Sequence, residues 1–204
     1  NGVGIQVGFI ERFNPALTTL KDVLESQRRT VNVDFIRTNK ISSRIKDVDV
    51  ISDLMIHDID LASYLNGPVA DIEAHGTELD DQIAFARATL YHTNGAFSNL
   101  TASRITEKRI RQISVTCDDS YIDCNLLRKE VVICRQSAEH TYVESSITAT
   151  EETIEVKPQE PLLNEHVHFE KFCAGEEVIV PMANDGLSAI RIAEQVRQTI
   201  RNRL

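Results

Sequence analysis

The chain has 204 residues, 22 Lys and Arg against 31 Asp and Glu, a net charge of −9 and 42% hydrophobic residues. That length and apolar content support one sizeable core, and the acidic balance argues against the concentrated basic face that a nucleic-acid backbone rewards. No apolar run reaches the roughly 18 residues of a membrane-spanning helix, the opening NGVGIQVGF lacks the pattern of a secretory signal, and the four cysteines, Cys117, Cys124, Cys134 and Cys173, contain no C-x-x-C pair. They read as reduced thiols of a cytoplasmic protein.

In chain order, residues 3–10 (VGIQVGFI) have the β-branched and apolar content of a strand. Asn14-Pro15 opens a helix, with Pro at a first helical position and Ala16, Leu17, Leu20, Val23 and Leu24 at helical spacing. Residues 31–36 predict a second strand, and the polar stretch 39–47 a loop. Residues 49–65 are helical in pattern and stop at Asn66-Gly67-Pro68. A strand series follows at 69–76, 82–91 and 96–105, the last two joined by the hairpin signal His92-Thr93-Asn94-Gly95. Residues 109–117 and 121–134 extend it around Asp118-Asp119-Ser120, with further strand-like runs at 140–146 and 153–156. The stretch 157–161 breaks the pattern before two helices, 162–174 and 185–203. This order predicts one α+β domain across residues 1–204, a large, mainly antiparallel open sheet with helices on one face.

The segment Ser52 to Leu61, SDLMIHDIDL, is apolar in most positions yet carries three carboxylates and a histidine. On a helix of about 100° per residue, Val50, Leu54, Leu61 and Leu65 form a core face. Asp53, His57 and Asp60, at i, i+4 and i+7, fall together at its edge. Such a stripe faces water, a metal, or a cleft in which a carboxylate orients a catalytic histidine. Asp58 projects into the apolar arc, where an unpaired carboxylate is costly, so it requires a partner such as a backbone end or an arginine. The glycines Gly2, Gly4 and Gly8 do not form a dinucleotide fingerprint, since they precede or lie inside the first strand at the wrong spacing.

Two blocks, residues 8–16 (GFIERFNPA) and 53–60 (DLMIHDID), together resemble the C-terminal domain of the Gfo/Idh/MocA family of NAD(P)-dependent sugar and inositol dehydrogenases. The resemblance continues through Asn94-Gly95, Ala102-Ser103-Arg104-Ile105-Thr106, Lys108, Arg109 and residues 185–190 (DGLSAI). It implies that His57 acts as, or helps, the catalytic base with Asp53 assisting, and that Arg12 and Asn14 border the active-site cleft, with a helix cap or surface salt bridge as the alternative for each; Arg44, in the loop before the helix, reads as a binder of substrate phosphate or a solvated arginine, and Asp60 as a substrate-binding residue. It also implies oxidation of a hydroxyl, the 3-hydroxyl of a nucleotide-linked hexosamine such as UDP-N-acetylglucosamine, with inositol or a free sugar as the alternative. Phe9 stands where such relatives often have His.

The family's dinucleotide-binding domain, with its glycine fingerprint and E-K-P lysine, finds no match in residues 1–204. The resemblance therefore implies a fragment or isolated domain, with NAD or NADP bound by the full-length enzyme and no cofactor or activity expected of this chain alone. Helices on only one side of so long a meander leave an apolar sheet face to cover, which predicts a homo-oligomer through the open sheet, with no nucleic-acid or membrane partner. Two rivals remain open at this level. One is a non-catalytic dimerisation module. The other is a metal-dependent phosphohydrolase prompted by His57-Asp58, which would need metal-ligating histidines from other helices. No metal is expected.

Overall fold

The computed structural model describes residues 4–40, 48–140 and 145–204. Asn14 is the N-cap of α1 (Pro15–Glu25), its side chain accepting from the Ala16 amide at 3.1 Å, with Pro15 at the first helical position. The helix buries Ala16, Leu17 and Leu20. Strand β1 (Thr30–Thr38) alternates, placing Val33, Phe35 and Arg37 inward. A π-helical turn, Ile51–Met55, then runs directly into α2 (Ile56–Asn66). Gly67, at φ +79°, ends that helix in a conformation that only glycine adopts without strain.

The strands β2 (Val69–Leu79), β3 (Gln82–His92), β4 (Phe97–Ser103), β5 (Ile110–Cys117), β6 (Ser120–Asn125), β7 (Glu130–His140) and β8 (Ser145–Ile154) complete one eight-stranded sheet. Its order is β2-β3-β4-β1-β5-β6-β7-β8. Among the described residues only the β1–β4 pair is parallel. Helices α3 (Pro161–Cys173) and α4 (Ala183–Arg201) close the chain. Helix α4 packs on β2 and α2, α2 on β4 and β1, and α1 on β6 and β7. The expected architecture, an open antiparallel sheet with helices on one face, is what the structure has. Gly76 seats α4, since a Cβ there would lie 2.8 Å from the Phe85 carbonyl and 2.9 Å from Ile200.

Four elements differ from the sequence reading. Residues 3–10 form no strand among the described residues. Gln6 makes one isolated bridge to Met182, and Ile10–Phe13 winds into a 3₁₀ turn. Strand-type composition yields a strand only where a neighbour supplies the ladder, and here only the Pro181–Met182 segment does so. Residues 121–134 are two strands rather than one. The turn between them has no Gly or Pro, but Asn125 Oδ1 accepts from the Leu127 and Arg128 amides at 3.1 and 2.9 Å and Lys129 takes φ 54°. Of the run at 140–146, His140 ends β7 and Ser145 and Ser146 open β8, residues 141–144 lying outside the described residues, and of the run at 153–156 only Thr153 and Ile154 belong to β8. The fourth difference is the π-helical turn Ile51–Met55 where one continuous α-helix was expected.

Candidate functional site

In a π turn the bonds run i→i+5, so each residue advances less around the axis than in an α-helix. The 3.6-residue wheel that placed Asp53, His57 and Asp60 on one stripe therefore fails across the junction at Met55 and Ile56. Each carboxylate of this segment meets a different arginine. Asp49, whose Oδ1 accepts from the Ser52 amide at 2.8 Å, pairs with Arg197 of α4 at 2.7 Å. Asp53 Oδ2 lies 2.8 Å from Arg104 Nη2, beyond the end of β4. That contact is a close charge pair without hydrogen-bond alignment. Arg104 Nη1 also donates to the Val48 carbonyl, which ties down the approach to the π turn.

Asp58 is gripped by Arg37 through Nε, at 3.0 Å to both oxygens, and Nη2, at 2.7 Å to Oδ1. Arg37 Nη1 donates onward to Glu11 Oε1 at 2.9 Å, and Glu11 also receives Arg111 Nη1 at 2.9 Å and Asn14 Nδ2 at 3.1 Å. The charges of Glu11, Arg37 and Asp58 are buried, which is tolerable because they are paired and multiply hydrogen-bonded. Burial works against the charged form of Glu11, yet Arg37 and Arg111 outweigh it and hold its carboxyl below the usual range. Asp60 accepts from Arg12 Nε at 2.8 Å and Nη2 at 2.6 Å, and Arg12 reaches on to Asp185 at 3.1 Å while lying over the Tyr64 ring at 4.6 Å. Burial pushes Asp60 up to about 6, against the opposing pull of Arg12.

His57 differs from all of these. Its Nδ1 is buried and has no hydrogen-bond partner. The Phe9 ring meets the imidazole edge to face, centroids 6.2 Å apart, so the position where His was anticipated supplies an apolar wall. Burial, followed by the Arg37 charge, lowers the pKa of His57 below its ordinary 6.5, so the ring is neutral at physiological pH. A neutral half-buried imidazole can accept a proton.

Of the residues singled out from the sequence, the structure thus brings Arg12 and Asp60 together as an ion pair and places Asn14 as a helix cap that also donates to the Leu126 carbonyl at 3.2 Å. Asp53 faces Arg104, and Arg44 lies outside the described residues. The sequence reading missed Glu11, Arg37, Arg104 and Arg111 as parts of this cluster. A signal existed for Arg37, since the alternation Val33, Phe35, Arg37 puts a charge at an inward position that demands a buried acid, and Asp58 demands the reverse. Among the described residues no three His, Cys, Asp or Glu side chains converge as metal ligands. A cavity of about 640 Å³ between α1 and the outer strands, bordered by Thr18, Asp22, Arg135 and Lys157, does not include His57.

The fold is an α+β domain, an open, mostly antiparallel sheet with a histidine-bearing helix whose carboxylates are each paired with an arginine. The family model of the GFO/IDH/MocA C-terminal domain matches residues 29–123, and the chain carries a domain of that family. It is 32% identical over 137 residues, 66% of this chain, to UDP-N-acetylglucosamine 3-dehydrogenase of Acidithiobacillus ferrooxidans, but spans only 43% of that protein. The solved structure of that enzyme, GnnA, superposes with a TM-score of 0.85 at 26% identity, covering 97% of this chain and 63% of its own. An oxidoreductase from Agrobacterium radiobacter in complex with NAD+, L-tartaric acid and magnesium shares the fold at a TM-score of 0.76 and 19% identity, covering 99% of this chain and 64% of its own. No described helix is long and apolar enough to cross a membrane.

Proposed function

We propose that this chain is the proton-handling, substrate-side domain of an NAD(P)-dependent oxidoreductase that oxidises a hydroxyl of a nucleotide-linked hexosamine, with His57 as the general base. The observation that carries the reading is the contrast within one helix segment: Asp49, Asp53, Asp58 and Asp60 are all paired with arginine, and His57 is left with an unpartnered, buried ring nitrogen. An alcohol that becomes a ketone must give up its hydroxyl proton, and a neutral imidazole is the group here able to take it. The substrate class rests on the likeness to the A. ferrooxidans 3-dehydrogenase.

The described residues do not fit a nicotinamide dinucleotide. None of the four helices opens on a glycine-rich strand-to-helix turn; the residues leading into them are Asn14, Met55, Glu160 and Met182. The cofactor, which accepts hydride when bound, is therefore assigned to a domain outside residues 1–204, and this chain's share of the reaction is the proton. Asp53, held by Arg104, fixes the π turn that leads into the helix carrying the histidine. Replacing His57 by Ala in the enzyme that unites both domains, with a panel of nucleotide sugars, free sugars and cyclitols, tests the reading. Wild-type turnover in that variant would return His57 to an ordinary half-buried side chain. Titration calorimetry of the 204-residue chain with NAD and NADP tests the division of labour, with no binding expected in the micromolar range.

Copies of the chain are further proposed to associate across the uncovered sheet face. The sequence reading expected that face to be apolar. It is mixed instead: Asn99 donates to Asn32 and Asp34 at 3.0 and 2.9 Å, Ser114 and Gln112 donate to Asp123 at 2.7 and 3.0 Å, and Ile36, Tyr91 and Tyr121 are exposed beside them. Light scattering at micromolar concentration should report a dimer, and a monomer would end this part of the proposal.

A further inference from the structure

Arg37 and Arg111 stand directly opposite each other in the β1–β5 register. Like charges so placed repel, and Glu11 Oε1 lies between them, accepting from both at 2.9 Å. Their situations are otherwise unequal. Arg37 has Asp58 as a second acid and is enclosed, its side chain 3% exposed. Arg111 has only its share of one carboxylate oxygen, its side chain is 31% exposed, and its remaining donors find no partner among the described residues. Arg109, exposed at the head of the same strand, adds a third positive charge to the two carboxylates. Burial, then Arg37 and Arg109, lower the pKa of Arg111 in spite of Glu11, so the guanidinium occupies a place short of negative charge. The same charge is felt at the His57 imidazole.

We propose that Arg111 is an anion-binding residue of the substrate site that receives the diphosphate of a nucleotide-linked sugar whose reacting hydroxyl lies at His57. The inference rests on the reading of His57 as the proton acceptor and adds the reason a charged substrate is taken over a neutral one. A planar guanidinium with donors to spare matches two phosphate oxygens at once. Glu11 anchors one edge of the fork and leaves the other facing outward. In a sugar diphosphate the first phosphate is one ring width from the 3-hydroxyl, and the Arg111 charge is near enough to act on the His57 imidazole. A free sugar or cyclitol brings no anion and leaves Arg111 uncompensated.

The test is binding and NMR on the full 204-residue chain, with UDP, UDP-N-acetylglucosamine and pyrophosphate as charged probes and uridine and N-acetylglucosamine as neutral ones. In the wild-type chain all three charged probes should move the Arg111 Nε–H resonance, UDP-N-acetylglucosamine should move the His57 ring resonances with it, and the neutral sugar should not move Arg111. Arg111→Gln should weaken UDP binding about ten- to a hundredfold, the range for losing a charged hydrogen-bonding group. Arg111→Lys, which keeps the charge without the fork, should recover part of it. Charged probes that leave both resonances of the wild-type chain still, or that bind Arg111→Gln unchanged, would overturn the proposal; the wild-type arm decides it even if the glutamine variant does not fold. Arg111-dependent diphosphate binding with unaltered turnover in a His57→Ala enzyme would remove the dehydrogenase reading and leave the anion site. A His57-dependent enzyme indifferent to whether its sugar carries a diphosphate would do the opposite.

Discussion

The two faces of the sheet solve the same problem in different ways. On the covered face, at the end where α2 meets β1 and β5, polar groups are full charges: Asp58, Arg37 and Glu11 form a chain of ion pairs closed off from water, with the partly exposed Arg111 at its outer end. On the uncovered face the polar groups are mostly amides and hydroxyls, with Asp34 and Asp123 accepting from Asn99, Ser114 and Gln112. Buried charges are rigid and unforgiving, because a single unpaired member carries its full desolvation cost. Neutral hydrogen bonds beside water are individually weak and replaceable. A histidine set among the former is held in a fixed field, which suits proton transfer, whereas the latter suits a surface that can meet another surface.

The comparison breaks first at Arg37. Arg37→Met should destabilise the fold by about 3–5 kcal/mol, because Asp58 would be left as an uncompensated buried charge; urea unfolding followed by circular dichroism measures it, and a loss below about 1 kcal/mol would show that the cluster is not closed to water. His57→Ala sharpens the contrast from within the same helix. In the assembled enzyme, turnover should fall by roughly 10² to 10⁴-fold, while stability changes little, since the imidazole makes no hydrogen bond through Nδ1.

The pH response of His57 gives a smaller effect. Its folded pKa lies below the ordinary 6.5, with burial as the leading cause and Arg37 second. The folded chain therefore binds that proton less tightly than the unfolded chain, so its contribution to stability is complete above 6.5 and is lost as pH falls through 6.5 toward the folded value. In activity, the acid limb of kcat/KM should lie below 6.5 and vanish in His57→Ala. A limb above 6.5 would mean that the imidazole is not desolvated in the working enzyme. The smallest effect belongs to the uncovered face: Asn99→Ala should cost about 1 kcal/mol, and a cost near that of Arg37→Met would erase the distinction between the faces.

Where local chemistry alone decides structure, the sequence was sufficient. Asn14-Pro15 caps and starts α1, Gly67 stops α2, and the turn at Asn94-Gly95, with Gly95 at φ +86° and Asn94 accepting from the Ala96 amide at 2.9 Å, joins β3 to β4. Where a partner decides, it was not. Residues 3–10 are strand-like but meet no sheet among the described residues, and the turn after Asn125 is made by one side chain and a lysine at positive φ rather than by Gly or Pro. In the site, His57 and the need of Asp58 for a partner were both legible, the one from residue type and the other from its place in an apolar arc. The direction of Asp53 was not, because a π turn leaves no composition signal and rotates that carboxylate away from the wheel on which it was drawn.

The lone parallel pair carries a consequence for the order of folding. Strands β2, β3 and β4 form a meander of sequence neighbours, as do β5 to β8, and such hairpins close over short loops. Strand β1 lies between the two groups, and its pairing with β4 joins Asn32 to Phe97 and Thr38 to Ser103, across the whole length of the site helix and two strands. Closing so long a loop costs more entropy than closing a hairpin. The β1 ladder should therefore be the last to form and the segment that fuses two otherwise separate cooperative units. Since Arg37 sits on β1, the charge cluster around His57 assembles only at that final step, and amide exchange in β1 should report the moment at which the site comes into being.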